Sequence, residues 1–234
     1  SYMAVADVAR GDGADYSVFH IFKLETMEIV AEYQGKPSLD MYANILFQVG
    51  KEYGDALMVV ENVGIGISVL EKLQELEYPN VYFSIKGTHE YIDANSAQFK
   101  NNAIAGFTTS SKTRPLIVAK LEEFIRNKLI TVYSNRLFNE FKTFIWNNGK
   151  PQAMRGYHDD LVMSLAIGCW VRDTALTVNQ RNTTYNKALL DTMIFTTSRM
   201  NTKIPGQIGY DKDMVQKRNE SISQQKEFSW LFKG

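Results

Sequence analysis

The chain has 234 residues, 44% of them hydrophobic and 22% charged, and a formal net charge of zero. That length suits one sizeable domain with a tail, and no run of about eighteen apolar residues is available to span a membrane. The single cysteine, Cys169, excludes an internal disulfide and suits a reducing compartment. The first residues, Ser1-Tyr2-Met3-Ala4-Val5-Ala6, lack the basic start and apolar stretch of a signal peptide. They read as a strand entered midway, as in a fragment of a longer protein.

The zero charge conceals a division. Residues 1–85 hold 5 Lys/Arg against 13 Asp/Glu, residues 86–155 hold 11 against 5, and residues 156–234 hold 10 against 8. An acidic stretch beside a basic one is what a carboxylate metal centre next to a phosphate-binding surface would give. Uneven solvated charge gives the same pattern, so charge alone does not decide.

In chain order, Tyr2–Val8 predicts a buried strand, Gly11–Asp15 a turn, Ser17–Leu24 a second strand and Glu28–Gln34 a third. Ser38 can cap a helix whose apolar stripe runs from Leu39 to Tyr53, with Gly54 ending it. Ala56–Glu61 is a continuous apolar run closed by an acid, the mark of a strand covered on both faces. A helix over Ile67–Leu76 and a fifth strand over Val81–Ile85 follow. Residues 86–112 are polar and predict a long loop or small insertion. Pro115 suits the first turn of the next helix; then come a short strand at Leu129–Ser134, a helix at Arg136–Trp146 and a loop at Asn147–Pro151. His158–Thr177 is the most apolar helix. Beyond Val178 the chain is polar, with a short helix at about Lys187–Phe195 and a terminal cluster of Phe228, Trp230, Leu231 and Phe232. The expected fold is α/β: a mixed central sheet of five or more strands, flanked by helices, with the first and fourth strands as neighbours.

Three acids then stand out. Asp7 lies near the end of the first strand and Glu61 closes the fourth, so adjacent strand ends would share a cation. Asp159 and Asp160 fall in the first turn of the apolar helix, where the free amides favour carboxylates. Singly, each has a plainer explanation as a turn or helix-start residue. Glu61 is harder to dismiss, because a buried carboxylate without a charged partner is costly. Oxygen-only ligands select Mg²⁺, with Mn²⁺ able to substitute, and three scattered histidines argue against zinc.

The stretches Asp7–Ser17, Val59–Gly64 and Tyr157–Val162 resemble the nuclease domain of tailed-phage large terminase subunits, most nearly the T-even type. The resemblance covers roughly residues 1–177, in three separated motifs in the right order, and leaves 178–234 as a C-terminal extension packed on the domain or serving partners. It implies a ribonuclease-H-like fold and a Mg²⁺-dependent endonuclease cutting concatemeric DNA, with Asp7, Glu61 and Asp160 as catalytic and metal-binding acids. Asp15 matches a further acidic position of the first motif. The implied partners are double-stranded DNA, an N-terminal ATPase domain, the portal protein and the small terminase subunit. The implied location is the host cytoplasm, at the prohead portal. No Gly-x-x-x-x-Gly-Lys-Ser/Thr occurs, so this stretch is expected to bind no nucleotide and to cut without pumping.

Two ions about 3.5–4 Å apart, bridged by Asp7, would activate a water and stabilise the leaving oxygen. Asp159 and His158 are candidates for orienting the ligands, His158 also for carrying a proton. Arg10, Lys86, Lys100, Lys112, Arg114 and Arg155 are the candidate phosphate contacts, which position a duplex without reading its bases. Three other readings stay open: another ribonuclease-H-like enzyme (a transposase, integrase or junction resolvase), a nucleotide-binding module built on Val63-Gly64-Ile65-Gly66, and a scaffold that docks without cutting. For the second, Val69 stands where a dinucleotide fingerprint needs its third glycine. The two glycines more plainly serve a tight turn past Glu61.

Overall fold

The structure, a computed structural model, describes residues 1–10, 13, 15–86, 91, 92, 94–98 and 100–173. The expectations for residues 174–234, including the short helix and the terminal aromatic cluster, lie outside the described residues.

β1 (Tyr2–Asp7), β2 (Ser17–Lys23) and β3 (Glu28–Gly35) form the expected antiparallel meander. α1 (Leu39–Glu52) then crosses over to β4 (Leu57–Val60), which pairs parallel with β1. The sheet order is β3-β2-β1-β4, so the two strands that carry the first acids are neighbours. α1 starts where Ser38 Oγ accepts from the Met41 amide, the cap that its sequence promised.

The alternation of β1 sorts the core into two layers. Met3 and Val5 face α4 (Thr113–Arg126) and a last helix, α6, over residues 160–173. Ala4 and Ala6 face α1 and α2 (Gly66–Glu75). All four are completely buried, so the central strand is covered on both faces. Small Ala4 and Ala6 fit the side on which Tyr42 enters whole. Its hydroxyl donates to the Val18 carbonyl at 2.6 Å and reaches the Asp7 carbonyl at 3.4 Å. α6 is buried at every position from Leu161 to Cys169, which its apolar composition all round requires.

Among the described residues the central sheet has four strands, not five. Val81 only bridges Met58, and the chain then departs. β5 (Phe83–Ile85) pairs with β6 (Tyr91–Ile92) and β7 (Ala103–Ala105) in a separate small sheet. The rest of the edge of β4 is taken by the returning chain: the Phe107 amide donates to Val60 and the Asn62 amide to Phe107. Two short pieces thus share the place of one strand, and the expected 86–112 loop contains β6, a short α3 (Ala94–Ala97) and β7. Likewise Leu129–Ser134 contributes one bridge, Glu28 to Thr131, instead of a strand.

The helix expected over 136–146 is shorter. α5 (Asn135–Thr143) yields to a hairpin of β8 (Phe144–Asn147) and β9 (Lys150–Ala153). The signal was present in the sequence. Phe144-Ile145-Trp146 favours strand, and Asn148-Gly149, both at positive φ, makes the two-residue turn that fits a hairpin's twist.

Replacing Tyr42 by Phe should keep the fold and remove one buried hydrogen bond between α1 and β2. The expected cost is about 1–2 kcal/mol, seen as a melting temperature lower by a few degrees. An unchanged melting curve would show that the bond to Val18 contributes nothing net.

Candidate metal centre

The site assembles where three elements end or begin. The amide of Glu61 donates to the Ala6 carbonyl, which continues the β1–β4 register by one residue and sets Glu61 beside Asp7. The two carboxyl groups are close enough that Glu61 makes the ionisation of Asp7 more costly. After Glu61 the chain must turn at once into α2. A Cβ on Gly66 would lie 1.8 Å from the Glu61 carbonyl oxygen, so only glycine lets α2 start this close to the strand end. That is the work of the glycines in the 63–66 stretch.

Asp160 arrives from the other layer. It is the first residue of α6, and its Oδ2 accepts from the Tyr16 amide at 3.1 Å. Ser17 fixes the same loop by accepting from the Ala9 amide and donating to its carbonyl. His158 Nδ1 lies 3.4 Å from Asp15 Oδ1 and 4.0 Å from Asp160 Oδ2. Asp15, His158 and Asp160 offer ligand atoms all within 4.8 Å of one another. The acids thus fall into two groups, Asp7 with Glu61 and Asp160 with Asp15 and His158. They are close enough that Asp160 acts electrostatically on Asp7.

Burial, Glu61 and Asp160 together hold the Asp7 carboxyl well above the ordinary carboxylate range. Burial likewise lifts Asp160 to about 6, against the opposing pull of the Tyr16 amide. Such a set binds a proton readily without a cation. It would exchange that proton for a divalent ion, and oxygen donors of this kind suit Mg²⁺ or Mn²⁺.

The two neighbouring aspartates part company. Asp159 precedes α6, and its Oδ2 accepts from the Ala153 amide at 3.0 Å and pairs with Arg114. Arg114 Nε donates to the Pro151 carbonyl, so the pair ties the β8–β9 hairpin to α4 and α6. Arg114 is thus committed within the protein. The other candidate phosphate contacts, Arg10, Lys86, Lys100, Lys112 and Arg155, are exposed, with Lys86 in the turn after β5.

One residue not anticipated from the sequence belongs beside these. Glu140 of α5 is 9% exposed, and its Oε2 accepts from the Val162 amide at 3.1 Å in the first turn of α6. Burial raises its pKa to about 7, with Asp160 and Asp159 pushing the same way. Its signal was a carboxylate on the apolar face of a helix, one turn after Leu137.

No family model matches the chain. The large terminase subunits of Thermus virus P23-45 and Thermus phage G20c are 28% and 27% identical to it over 164 residues, 67% of this chain. The match spans 29% of the length of each relative. Crystal structures of the large terminase nuclease from phage G20c, with bound magnesium and with bound cobalt, superpose with a TM-score of 0.54. Identity there is 20%, over 72% of this chain and 79% of the other. The likeness is to the large-terminase nuclease. The fold class is that expected from the sequence, ribonuclease-H-like mixed α/β, with four central strands among the described residues.

A carboxyl whose pKa is higher in the folded than in the unfolded chain favours folding fully below the unfolded value. That contribution is lost as pH rises through the folded value. For Asp160 the move from 3.8 to about 6 corresponds to roughly 3 kcal/mol before solvent screening. Metal-free Asp160→Asn should therefore melt above the parent protein at pH 7.5 and coincide with it near pH 4. Asp159→Asn should melt lower at pH 7.5, because Arg114 loses its charged partner. A destabilised Asp160→Asn protein at pH 7.5 would contradict this account.

Proposed function

We propose that residues 1–177 form a metal-dependent endodeoxyribonuclease that cuts concatemeric viral DNA during packaging. The observation that carries this reading is the convergence of Asp7, Glu61 and Asp160 from β1, β4 and the start of α6. The resemblance to large terminases in sequence and fold supports it. The magnesium and cobalt bound to the G20c nuclease support a divalent cofactor here, Mg²⁺ foremost.

Asp7 and Glu61 would hold one ion and Asp160 a second, with Asp15 alongside. This division matches the two groups of side chains. Bound ions would supply Lewis acidity to the phosphoryl group and a nucleophilic water at neutral pH. The protein's own contribution is placement. The Tyr16 amide fixes the Asp160 carboxylate, and His158 Nδ1 lies where it can orient that carboxylate or pass a proton to solvent. Arg10, Lys86, Lys100, Lys112 and Arg155 would steer the duplex through its phosphates. The same reading places the protein beside an ATPase domain, the portal and the small terminase subunit, in the host cytoplasm.

Supercoiled plasmid should be nicked and linearised with Mg²⁺ or Mn²⁺ and left intact in excess EDTA. Asp160→Asn should abolish cutting, and Asp159→Asn should leave measurable activity. Cleavage that persists in EDTA, or an active Asp160→Asn beside a folded but dead Asp159→Asn, would sink the assignment. A transposase or integrase would instead join a 3′ end to target DNA, and a resolvase would favour branched substrates.

Recognition through phosphates implies cuts spread over many sequences and binding that weakens steeply with salt. Replacing one phosphate-binding Lys or Arg by Ala should flatten the logarithmic salt slope by about 0.9. Sequencing the ends tests the first point and binding isotherms from about 50 to 200 mM salt the second. One recurrent cut site would favour the resolvase or transposase alternative.

A further inference from the structure

We infer that Glu140 is a positioning residue for the proposed centre: from α5 it caps the first turn of α6 and so fixes where Asp160 points. The inference rests on the nuclease reading for its functional meaning, but its geometry is independent of it. The first amides of a helix have no partner within the helix and need an acceptor from outside. Asp159 stands at the position from which a helix usually supplies its own cap. Its Oδ2 is instead taken by the Ala153 amide and Arg114. The acceptor comes from Glu140 Oε2, 3.1 Å from the Val162 amide, two residues beyond Asp160.

A carboxylate in this place does more than stabilise a helix end. A second polar anchor of α6 is Ser164, which donates to the Val5 carbonyl at 2.9 Å. Apolar packing sets how far α6 lies from the sheet, and directional bonds at its polar groups add to what holds its rotation about its own axis. A hydrogen bond in the first turn fixes that rotation at the residue that bears the ligand. α5 is held in turn by the ion pair of Arg136 with Glu32 of β3, at 2.9 Å. Asp160 is thereby referenced to the sheet that carries Asp7.

The test is Mn²⁺ affinity of the full chain, by electron paramagnetic resonance, with Mg²⁺ nicking rates beside it. Glu140→Leu, which removes the acceptor, should weaken Mn²⁺ binding about tenfold or more, the usual scale for a partner that orients a ligand. Glu140→Gln, which keeps an acceptor oxygen, should restore affinity to within about threefold of the parent. In an Asp160→Asn background, Glu140→Leu should cause no further loss, because the ligand it orients is gone. Equal losses in both backgrounds, or a Gln variant as weak as Leu, would reduce Glu140 to a structural residue and overturn the inference. If the Leu variant does not fold, Glu140→Asp, whose carboxyl is withdrawn by one methylene, takes its place with the same expectations. A parent protein that binds Mn²⁺ but cuts no DNA would fail the nuclease reading and leave the positioning role standing. One that binds no Mn²⁺ would fail both.

Discussion

Asp7, Glu61 and Asp160 come from three distant stretches of chain, and the charges of Glu61 and Asp160 both make the ionisation of Asp7 more costly. Nothing in the carboxylates themselves favours their meeting. The elements that carry them must therefore be held by burial elsewhere. β1 is covered on both faces, β4 is apolar throughout, and α6 is buried on every side for more than two turns. A one-residue slip of β1 would send every side chain to the opposite face and turn Asp7 away. With Met3 and Val5 in one layer and Ala4 and Ala6 in the other, slippage would exchange large for small side chains in both.

The polar groups inside this frame are fastened in the same manner. His20 on β2 is fully buried, with Nδ1 3.1 Å from Ser164 Oγ and Nε2 3.3 Å from Glu32 Oε2. Burial lowers the His20 pKa, so at neutral pH the ring is an uncharged link between β2, β3 and α6. A charged ring there would favour the unfolded chain, which puts the loss of this contribution on the acid side of 6.5. The network thus couples the helix that begins with Asp160 to the sheet without adding charge beside the acids.

The β1–β4 neighbourhood was legible because it followed from two apolar runs, a hairpin meander and a crossover helix, all local signals. The acids at the strand ends followed from that placement. Four features did not follow. The fifth strand was lost because the edge of β4 is shared between Val81 and Phe107, which lie 26 residues apart with no periodicity to link them. The hairpin at 144–153 was hidden because Phe144-Ile145-Trp146 also continues the amphipathic stripe of α5. Glu140 was missed because its partner is a backbone amide in another helix, and a backbone amide leaves no mark in sequence. Asp159 and Asp160 could not be told apart by helical spacing either, since both face apolar stripes. It is the Arg114 guanidinium that separates them.

That separation bears on how the site can take up a diffusible cation at all. A cluster of half-buried acids with only a structural role is satisfied by charged partners from the same chain or by retained protons. Among the described residues, no lysine or arginine forms an ion pair with Asp7, Glu61 or Asp160, and the basic side chain beside Asp160 is His158. Arg114 is held by Asp159, the immediate chain neighbour of Asp160, and by the Pro151 carbonyl. With Asp159 in place, the guanidinium has a partner on the hairpin side and no reason to swing toward Asp160. A permanent cation at Asp160 would compete with a divalent ion for the same oxygens. By occupying the arginine, Asp159 would leave its neighbour open to the proposed metal, a part in metal binding for an acid set apart from the proposed ligands.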